Sequence, residues 1–477
     1  CTCQRRISGG GTVERAIIAP FRAMSRTSQQ SQAMIKLDLS GTTPSREVRA
    51  GLTTFATMAY IVAVNPLILA DAGMPREAVV AATCLAAACG SILMGLLTNY
   101  PFAMAPGMGL NAFFAYTVVL GMGLSWQGAL AAVFVSGVIF LLLTLTGLRE
   151  ALLNAIPLSL KSAISVGIGL FIALIGLKNA GVVVHNPATG SLGLVHAGYF
   201  ADPELGKLLP FGASEKSVGL ALFGLVLTGA LVVRQVPAAL LIGIAVCTLL
   251  GVPLGLVQPG DGGLVGWPSG LGQTFLALDF AEVLTFGLVT VIVTFTFVDL
   301  FDTVGTLVGV SGKAGLLDAE GRLPRAKRAL LADSLATVFG ASVGTSTTTT
   351  YVESAAGVAA GGRSGLTAVV AGGCFLLALF LAPLLSLVPA AATAPALVIV
   401  GVFMMEPVRR IDFADYFQAI PAFFAVVLMP WSFSIAEGIA AGVTAFAAVH
   451  LLGGRGREVS PALWVLAVLF LLRYFLT

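Results

Sequence analysis

Runs of about twenty apolar residues, separated by short polar stretches, recur along the chain from Gly51 almost to its end. A run of this length matches the hydrocarbon thickness that a transmembrane helix must cross. The runs form two series of seven: about 51–71, 78–98, 104–120, 126–147, 161–178, 217–234 and 237–257, then about 284–310, 329–343, 350–360, 366–388, 394–406, 415–432 and 434–452. This pattern predicts an all-α polytopic membrane protein with about fourteen spans.

Composition supports a bilayer environment, since 57% of the residues are hydrophobic, 10% are charged and the mean hydropathy is +0.97. A soluble domain carries about 25% charged residues. Cytoplasmic loops hold an excess of Lys and Arg, and an N-terminus inside the cell places most of them there: Arg149, Lys161, Arg234, Lys313, Arg322, Arg325, Lys327, Arg328, Arg363, Arg409, Arg410, Arg455 and Arg457. We therefore expect a multi-pass protein of the cell (inner or plasma) membrane with a cytoplasmic N-terminus.

The two ends of the chain are less apolar. Residues 1–48 are polar and basic and are interpreted as a cytoplasmic leader. Residues 454–477 form a C-terminal tail whose stretch 461–476 is either a further span or a surface helix. Asp333 follows the basic cluster of 313–328 and is expected to face water or to cap its helix.

Other chemistries find little support in the sequence. The six cysteines are isolated or lie in the leader, and the three histidines are not spaced as ligands, so neither a disulfide nor a metal site is predicted. Residues 361–365 lack the spacing of a phosphate-binding loop. We find no nucleophile or cofactor motif and predict no enzyme, no catalytic residue and no cofactor. The net charge of +3 reflects loop asymmetry, and no nucleic acid partner is expected.

The third segment of each series is short and interrupted. Residues 103–112 contain Pro106, Gly107 and Gly109, which favour extended or turning backbone before a helix. Residues 344–357 contain five β-branched threonines before a run of small residues. Each is predicted to be a strand that leads into a half-helix. Paired interruptions in two halves indicate the mid-membrane substrate site of a transporter built from inverted repeats.

Polar side chains near these breaks are the candidate site. Asp299 and Asp302 lie in an apolar span, where an ionised group is costly and indicates function. They share a helical face with Thr306, and Asn111 and Glu353 start the half-helices. Carboxylates accept hydrogen bonds from N–H groups and an asparagine both donates and accepts, which suits a neutral planar heterocycle. The aromatic residues near enough to supply a stacking face are Phe113, Phe295, Phe301 and Tyr351.

Structural roles are open for the same residues. Thr350 and Glu353 match a helix capping box, in which the glutamate bonds backbone N–H groups and touches no ligand. Asn111 is also suited to satisfy unpaired backbone at its break. Asp299 and Asp302 would, in the structural alternative, hold broken helices together by accepting from threonines or backbone.

The same residues carry a resemblance to a known family. The strings 51–61 with Asn65-Pro66, 105–116, 297–306, and 345–347 with 353–358 resemble the AzgA-like hypoxanthine/adenine/guanine permeases of the nucleobase transporter superfamily. The likeness covers about 45–452. It implies proton symport and a seven-plus-seven inverted repeat with a core domain (49–150 with spans 1–4, and 280–390 with spans 8–11) and a gate domain (151–260 with spans 5–7, and 391–453 with spans 12–14).

The resemblance also implies a site between the third, eighth and tenth spans. Asp302 matches the acid that grips the base, with Asp299 as the alternative register, and Glu353 matches the tenth-span acid through Tyr351-x-Glu353. Asn111 falls at the third-span break. Where relatives carry a histidine or aspartate four residues after the eighth-span acid, this chain has Thr306, so that residue's proton-related role does not transfer.

The expected function is import of the purine nucleobases hypoxanthine, guanine and adenine with a coupled proton, using Asp302, Glu353 and Asp299 as coupling carboxylates. A homodimer is left open. The alternative is an anion transporter or channel of the same inverted-repeat fold, which would place a basic residue or bare half-helix N-termini at the site.

Overall fold

The computed structural model describes residues 37–39, 41–146, 157–186, 191–201, 209, 214–257, 265–267, 270–283, 286–316 and 323–476, and most of them are helical. The first half contains α1 (Pro44–Met58), α2 (Ile61–Asp71), α3 (Arg76–Thr98), β1 (Met104–Pro106), α4 (Met108–Ala112) continued by a π-helix (Phe113–Gly121), α5 (Trp126–Thr146), α6 (Leu158–Asn179), a hairpin of β2 (Val183–Asn186) and β3 (Ser191–Leu194), α7 (Glu215–Val233) and α8 (Ala239–Gly251).

The second half repeats this order. It contains α9 (Phe286–Ala314), α10 (Ala326–Val343), β4 (Thr348–Thr350), α11 (Ser354–Ala359), α12 (Gly365–Ala378), α13 (Ala390–Phe403), α14 (Tyr416–Trp431), α15 (Ile435–Leu452) and α16 (Pro461–Leu476). Short helical turns are present at Gly198–Ala201, Leu271–Thr274, Phe280–Val283, Leu379–Leu381, Ala382–Ser386, Glu406–Arg410 and Gly456–Glu458.

Each of the fourteen predicted spans contains a helix among the described residues, and the all-α polytopic prediction is confirmed. Eight helical segments in the described part are long and apolar enough to cross a membrane. The first predicted span is two helices, since α1 ends at Met58 and α2 begins at Ile61. The stretch 461–476 forms α16, which packs on α15.

Helices from both halves of the chain mix in two packing groups. In the first packing group, α12 lies against α1 and α3, while α10 lies against α3 and α5. In the second packing group, α13 lies against α6, α7 and α8, and α14 lies against α6 and α15. The groups meet where α6 contacts α4 and α9, and where α8 contacts α1. The buried apolar cluster runs through both groups.

The two interrupted segments pair with each other. Strands β1 and β4 are antiparallel, with Met104 opposite Thr350 and Pro106 opposite Thr348. The N–H of Gly107 donates to the carbonyl of Thr347 (2.9 Å) just beyond the paired residues. All the residues of both strands are buried, so each broken segment supplies backbone partners that the other needs away from water. The prediction of a strand leading into a half-helix is confirmed in both halves.

Each strand is also held by a hydroxyl from the helix that precedes it. Ser91 Oγ on α3 accepts from the Met104 N–H (2.8 Å) and donates to the Met104 carbonyl (3.0 Å). Thr337 Oγ1 on α10 makes the same pair of contacts with the carbonyl (3.1 Å) and N–H (3.3 Å) of Thr348. Helix α10 and strand β4 lie close together, as shown by Gly340, where an added Cβ would lie 2.5 Å from Thr348 Oγ1. The two halves therefore fix their strands in the same way.

Candidate functional site

A cavity of about 1010 Å³ lies between the two packing groups and touches one of the broken segments. The first packing group contributes Thr53 and Thr57 from α1 together with Glu353, which stands between β4 and α11. The second contributes Gln235, before α8, and Arg409, after α13. A concave and mostly apolar space with a few polar groups is typical of a small-molecule site.

Glu353 is the candidate site residue that the structure brings to this cavity among the described lining residues. Its side chain is half-buried, and its Oε1 accepts a hydrogen bond of 2.8 Å from the hydroxyl of Tyr60. The capping-box alternative is wrong, because the Glu353 side chain makes no capping bond to α11. The hydroxyl of Thr350, its partner in such a box, is buried without a hydrogen bond.

Asn111 is buried and its side-chain amide faces other side chains. Its Nδ2 donates to Asn65 Oδ1, and its Oδ1 accepts from Ser346 Oγ. Asn65 Nδ2 in turn donates to Thr83 Oγ1 (2.7 Å) and Thr345 Oγ1 (3.0 Å). This network joins α2, α3 and α4 to the segment before β4. The structural alternative for Asn111 thus has direct support, although its partners are side chains rather than the backbone.

Tyr351 links the two broken segments. Its N–H donates to the Ala103 carbonyl (3.1 Å) and its hydroxyl donates to the Pro106 carbonyl. Of the other aromatic candidates, Phe113 and Phe295 are buried and contact each other edge to face, with ring centroids 4.9 Å apart. Their rings pack the interface between the third and eighth predicted spans. The side chain of Phe301 lies outside the described residues.

The eighth predicted span is α9, which packs against β4, α11, α4 and α6. Asp299 on this helix is fully buried, and Thr306 is half-buried. Neither lines the described cavity. The side chain of Asp302 lies outside the described residues, so its predicted contact with substrate stays a prediction.

A third carboxylate of this region is Asp333, for which the expectation of a water-facing or capping position is wrong. Asp333 is fully buried, and α10 already begins at Ala326. Its Oδ1 accepts from Thr303 Oγ1 (2.9 Å), which lies 2.8 Å from Thr349 Oγ1. Because α10 packs between α3 and α5, this residue faces the protein interior and connects α10, α9 and β4.

Contacts between the packing groups also exist at the far end of α2. Tyr116 in the π-helix donates to Asp71 Oδ2 (2.6 Å), and Asn179 Nδ2 on α6 donates to the Tyr116 hydroxyl (3.3 Å). Thr117 Oγ1 donates to the carbonyl of Phe433 (3.2 Å). We call these the Asp71-end contacts. The cavity touches α1 at Thr53 and Thr57, whereas Asp71 ends α2, so the Asp71-end contacts lie further along this pair of helices than the cavity does.

Comparison with known proteins assigns the family. The sequence model described as "Permease family", that of the xanthine/uracil permeases, matches residues 45–441. The chain is a member of the xanthine/uracil permease family. It is 46% identical over 442 residues to Adenine permease AdeP of Escherichia coli (strain K12), covering 93% of this chain and 95% of that protein. It is 45% identical over 457 residues to Guanine/hypoxanthine permease PbuG of Bacillus subtilis (strain 168), covering 93% and 99%. The resemblance drawn from the sequence is confirmed.

Solved structures of the same fold belong to more distant proteins. The transmembrane domain of the cyanobacterium bicarbonate transporter BicA aligns with a TM-score of 0.61 at 16% identity, covering 83% of this chain and 97% of that one. SLC26A9 aligns with a TM-score of 0.62 at 12% identity, covering 95% and 73%. At these identities the likeness concerns the fold alone. It supports the inverted-repeat architecture of this permease.

Sequence reasoning missed three polar residues around the site of this permease. Tyr60 lies in the resemblance string 51–61, yet a lone tyrosine in an apolar run carries no motif. Asn65 belongs to the dipeptide quoted with that string and becomes informative only beside Asn111. Asp333 is expected from the sequence to face water or to cap its helix because basic residues precede it, although a buried acid in an apolar helix is itself a signal of function.

Proposed function

We propose that this permease imports the purine nucleobases adenine, guanine and hypoxanthine, each with a proton. Support comes from AdeP and PbuG, whose names state adenine and guanine/hypoxanthine as their substrates and which are 46% and 45% identical to this chain. Both alignments cover nearly the whole of each relative, and the family match over 45–441 includes every residue that lines the cavity.

The observation that carries the proposal is the carboxylate of Glu353 at the edge of the cavity. A carboxylate accepts hydrogen bonds and cannot donate them when ionised, so it selects ligands with N–H groups. Purine bases carry ring and exocyclic N–H donors on a flat, neutral frame. The apolar remainder of the cavity suits the faces of that ring.

The remaining candidates take proposed roles around Glu353. Asp302, or Asp299 in the alternative register, supplies the second acid, because α9 passes directly beside β4 and α11. Phe301 and Thr306 lie on the same helix and complete the proposed contact surface. Asn111 and Tyr351, whose side chains bond within the protein, contribute by fixing the two broken segments.

Transport is proposed to follow an alternating-access scheme, in which the first packing group is the core domain and the second is the gate domain. The cavity and the Asp71-end contacts lie at different positions along α1 and α2, which suits a carrier that is open on one side. With a cytoplasmic N-terminus, the open side is the inner one. Movement of one proton charge through 100 mV supplies about 2.3 kcal/mol, enough to concentrate a neutral base roughly fiftyfold.

Uptake of radiolabelled bases into proteoliposomes tests the proposal. Hypoxanthine, guanine, adenine and uracil are compared with and without an inward pH gradient, and a sodium gradient without a pH gradient serves as the control for the coupling ion. We expect purine accumulation that depends on the pH gradient and is abolished by a protonophore. Accumulation driven only by sodium would remove the proton from the proposal, and uptake of none of the purines would overturn it.

The alternative of an anion transporter has its own support, since the solved structures of this fold include a bicarbonate transporter. Glu353 beside the cavity opposes it, because an anion and an ionised carboxylate repel most strongly away from water, whereas Arg409 in the same lining would attract an anion. Measuring bicarbonate or chloride exchange across the membrane of the same proteoliposomes distinguishes the two functions. Anion flux without purine uptake would favour the alternative.

A further inference from the structure

We infer that Tyr60 is a positioning residue for substrate binding, because it fixes the Glu353 carboxylate toward the base. This inference rests on the proposed function and adds a residue to it. The Tyr60 hydroxyl donates to Glu353 Oε1 over 2.8 Å, and the tyrosine is 1% exposed. The protein thereby holds the Glu353 carboxylate in one orientation at the edge of the cavity.

The bond matters because it ties the Glu353 side chain to the junction of α1 and α2. A glutamate side chain loses considerable rotamer freedom when a ligand orders it, and an acceptor that is ordered beforehand binds more tightly. Tyr60 has a rigid ring and only two side-chain torsions. The bond from the buried tyrosine to the half-buried carboxylate therefore fixes the Glu353 side chain when the protein folds. The entropy cost of ordering this side chain is then not paid again when the ligand binds.

Tyr60 is suited to this role because its own position is strongly determined. It lies between the end of α1 and the start of α2, and α1 packs directly on α11. The two helices approach so closely that there is no room for a side chain at Gly357, where an added Cβ would lie 1.9 Å from Thr54 Oγ1. The donor and the acceptor are therefore carried on elements that pack in one group.

The start of α1 is anchored to the chain that follows α11. The buried Glu47 accepts from the N–H groups of Arg363 (2.9 Å) and Ser364 (3.1 Å) and from Thr367 Oγ1 (2.6 Å). This anchor and the bond from Tyr60 to Glu353 lie at the two ends of the contact between α1 and α11. The geometry points to a donor and acceptor that remain paired while the two packing groups move.

The test is a Tyr60→Phe variant, which removes only the hydroxyl. We expect the Kd for guanine or hypoxanthine to rise about tenfold, equivalent to about 1.4 kcal/mol, with the KM for uptake rising in parallel. The melting temperature of the purified protein and the maximal uptake rate should change little. Tyr60→His, which retains a ring N–H donor, should recover part of the lost affinity.

The matched control is Tyr199→Phe, which removes a buried hydroxyl that donates to the His185 carbonyl (3.0 Å) in the β2–β3 region. This variant should bind and transport purines as the wild type does.

A double-mutant cycle with Glu353→Gln separates positioning from general damage. If Tyr60 acts through Glu353, adding Tyr60→Phe to Glu353→Gln should weaken binding much less than Tyr60→Phe does alone. Equal losses in both backgrounds, or wild-type affinity in Tyr60→Phe, would overturn the inference while leaving the proposed function intact. A Tyr60→Phe protein that fails to insert or fold would assign Tyr60 to the scaffold. Wild-type protein that binds no purine would remove the proposed function and this inference together.

Discussion

Replacing Tyr116 with phenylalanine tests whether the Asp71-end contacts keep one side of the carrier closed. The variant removes the hydroxyl that donates to Asp71 Oδ2 (2.6 Å) and accepts from Asn179 Nδ2 (3.3 Å), while the ring remains. Asn179 lies on α6 of the second packing group. Asp71 and Tyr116 belong with the first group, because α2 packs on α3 and the π-helix contacts α2 and α5. Loss of the hydroxyl should therefore weaken the conformation in which the groups touch at this end.

The expected magnitude follows from the geometry of the bond. The bond that joins the two packing groups is the one from Asn179 Nδ2 to the Tyr116 hydroxyl (3.3 Å), whereas the bond to Asp71 fixes the position of that hydroxyl within one group. A neutral hydrogen bond contributes about 1 kcal/mol. If the bond from Asn179 exists only in the closed arrangement, its loss raises the population open at the Asp71 end about fivefold.

Labelling of a reporter cysteine measures this population. Ala180, at the end of α6, is buried beside Asn179, and Ala180→Cys in a cysteine-free background reports exposure to a membrane-impermeant maleimide. We expect labelling about five times faster in Tyr116→Phe, as the population shift requires. Tyr199→Phe is the control and should label at the wild-type rate. A lower melting temperature with unchanged labelling would refute the reasoning, since the contacts would then serve stability alone.

Two further predictions concern the strands. Ser91→Ala and Thr337→Val each remove a hydroxyl that bonds both backbone groups of one strand residue. Each substitution should lower the free energy of unfolding by about 1–3 kcal/mol. Thermal unfolding in detergent measures this loss, and an unchanged melting temperature in both variants would contradict the prediction. Gly340→Ala brings a Cβ within 2.5 Å of Thr348 Oγ1, whereas the Cβ of Gly373→Ala meets nothing within 4 Å. We expect the transport rate to fall sharply in Gly340→Ala and to stay near that of the wild type in Gly373→Ala. Equal uptake by the two variants would argue against close packing of β4 on α10.

The segments of this fold were predictable from local pattern. Apolar runs of membrane length locate the helices, and the prolines, glycines and threonines at 103–112 and 344–357 locate the two breaks. The pairing of β1 with β4 in one register was not predictable, because it joins residues about 245 positions apart in the chain, as the Tyr351 to Pro106 bond illustrates. Local sequence carries no record of such a partner.

The candidate site was predictable only in part for the same reason. An acid at a break in an apolar segment is unusual, which is why the sequence draws attention to Glu353; the residue lines the cavity, and its contact with substrate stays a prediction. The direction in which a side chain points depends on the neighbouring helices. Asn111 therefore bonds to Asn65 and Ser346, and Asp333 faces the interior although basic residues precede it.

The most direct test of the central claim is equilibrium binding of guanine and hypoxanthine to Glu353→Gln and Glu406→Gln. Both glutamates line the same cavity, and both changes replace a carboxylate by an amide of the same size. The account predicts that Glu353→Gln loses at least tenfold in affinity, as removal of a charge-assisted acceptor implies, and that Glu406→Gln binds as the wild type does. Wild-type affinity in Glu353→Gln would contradict the account.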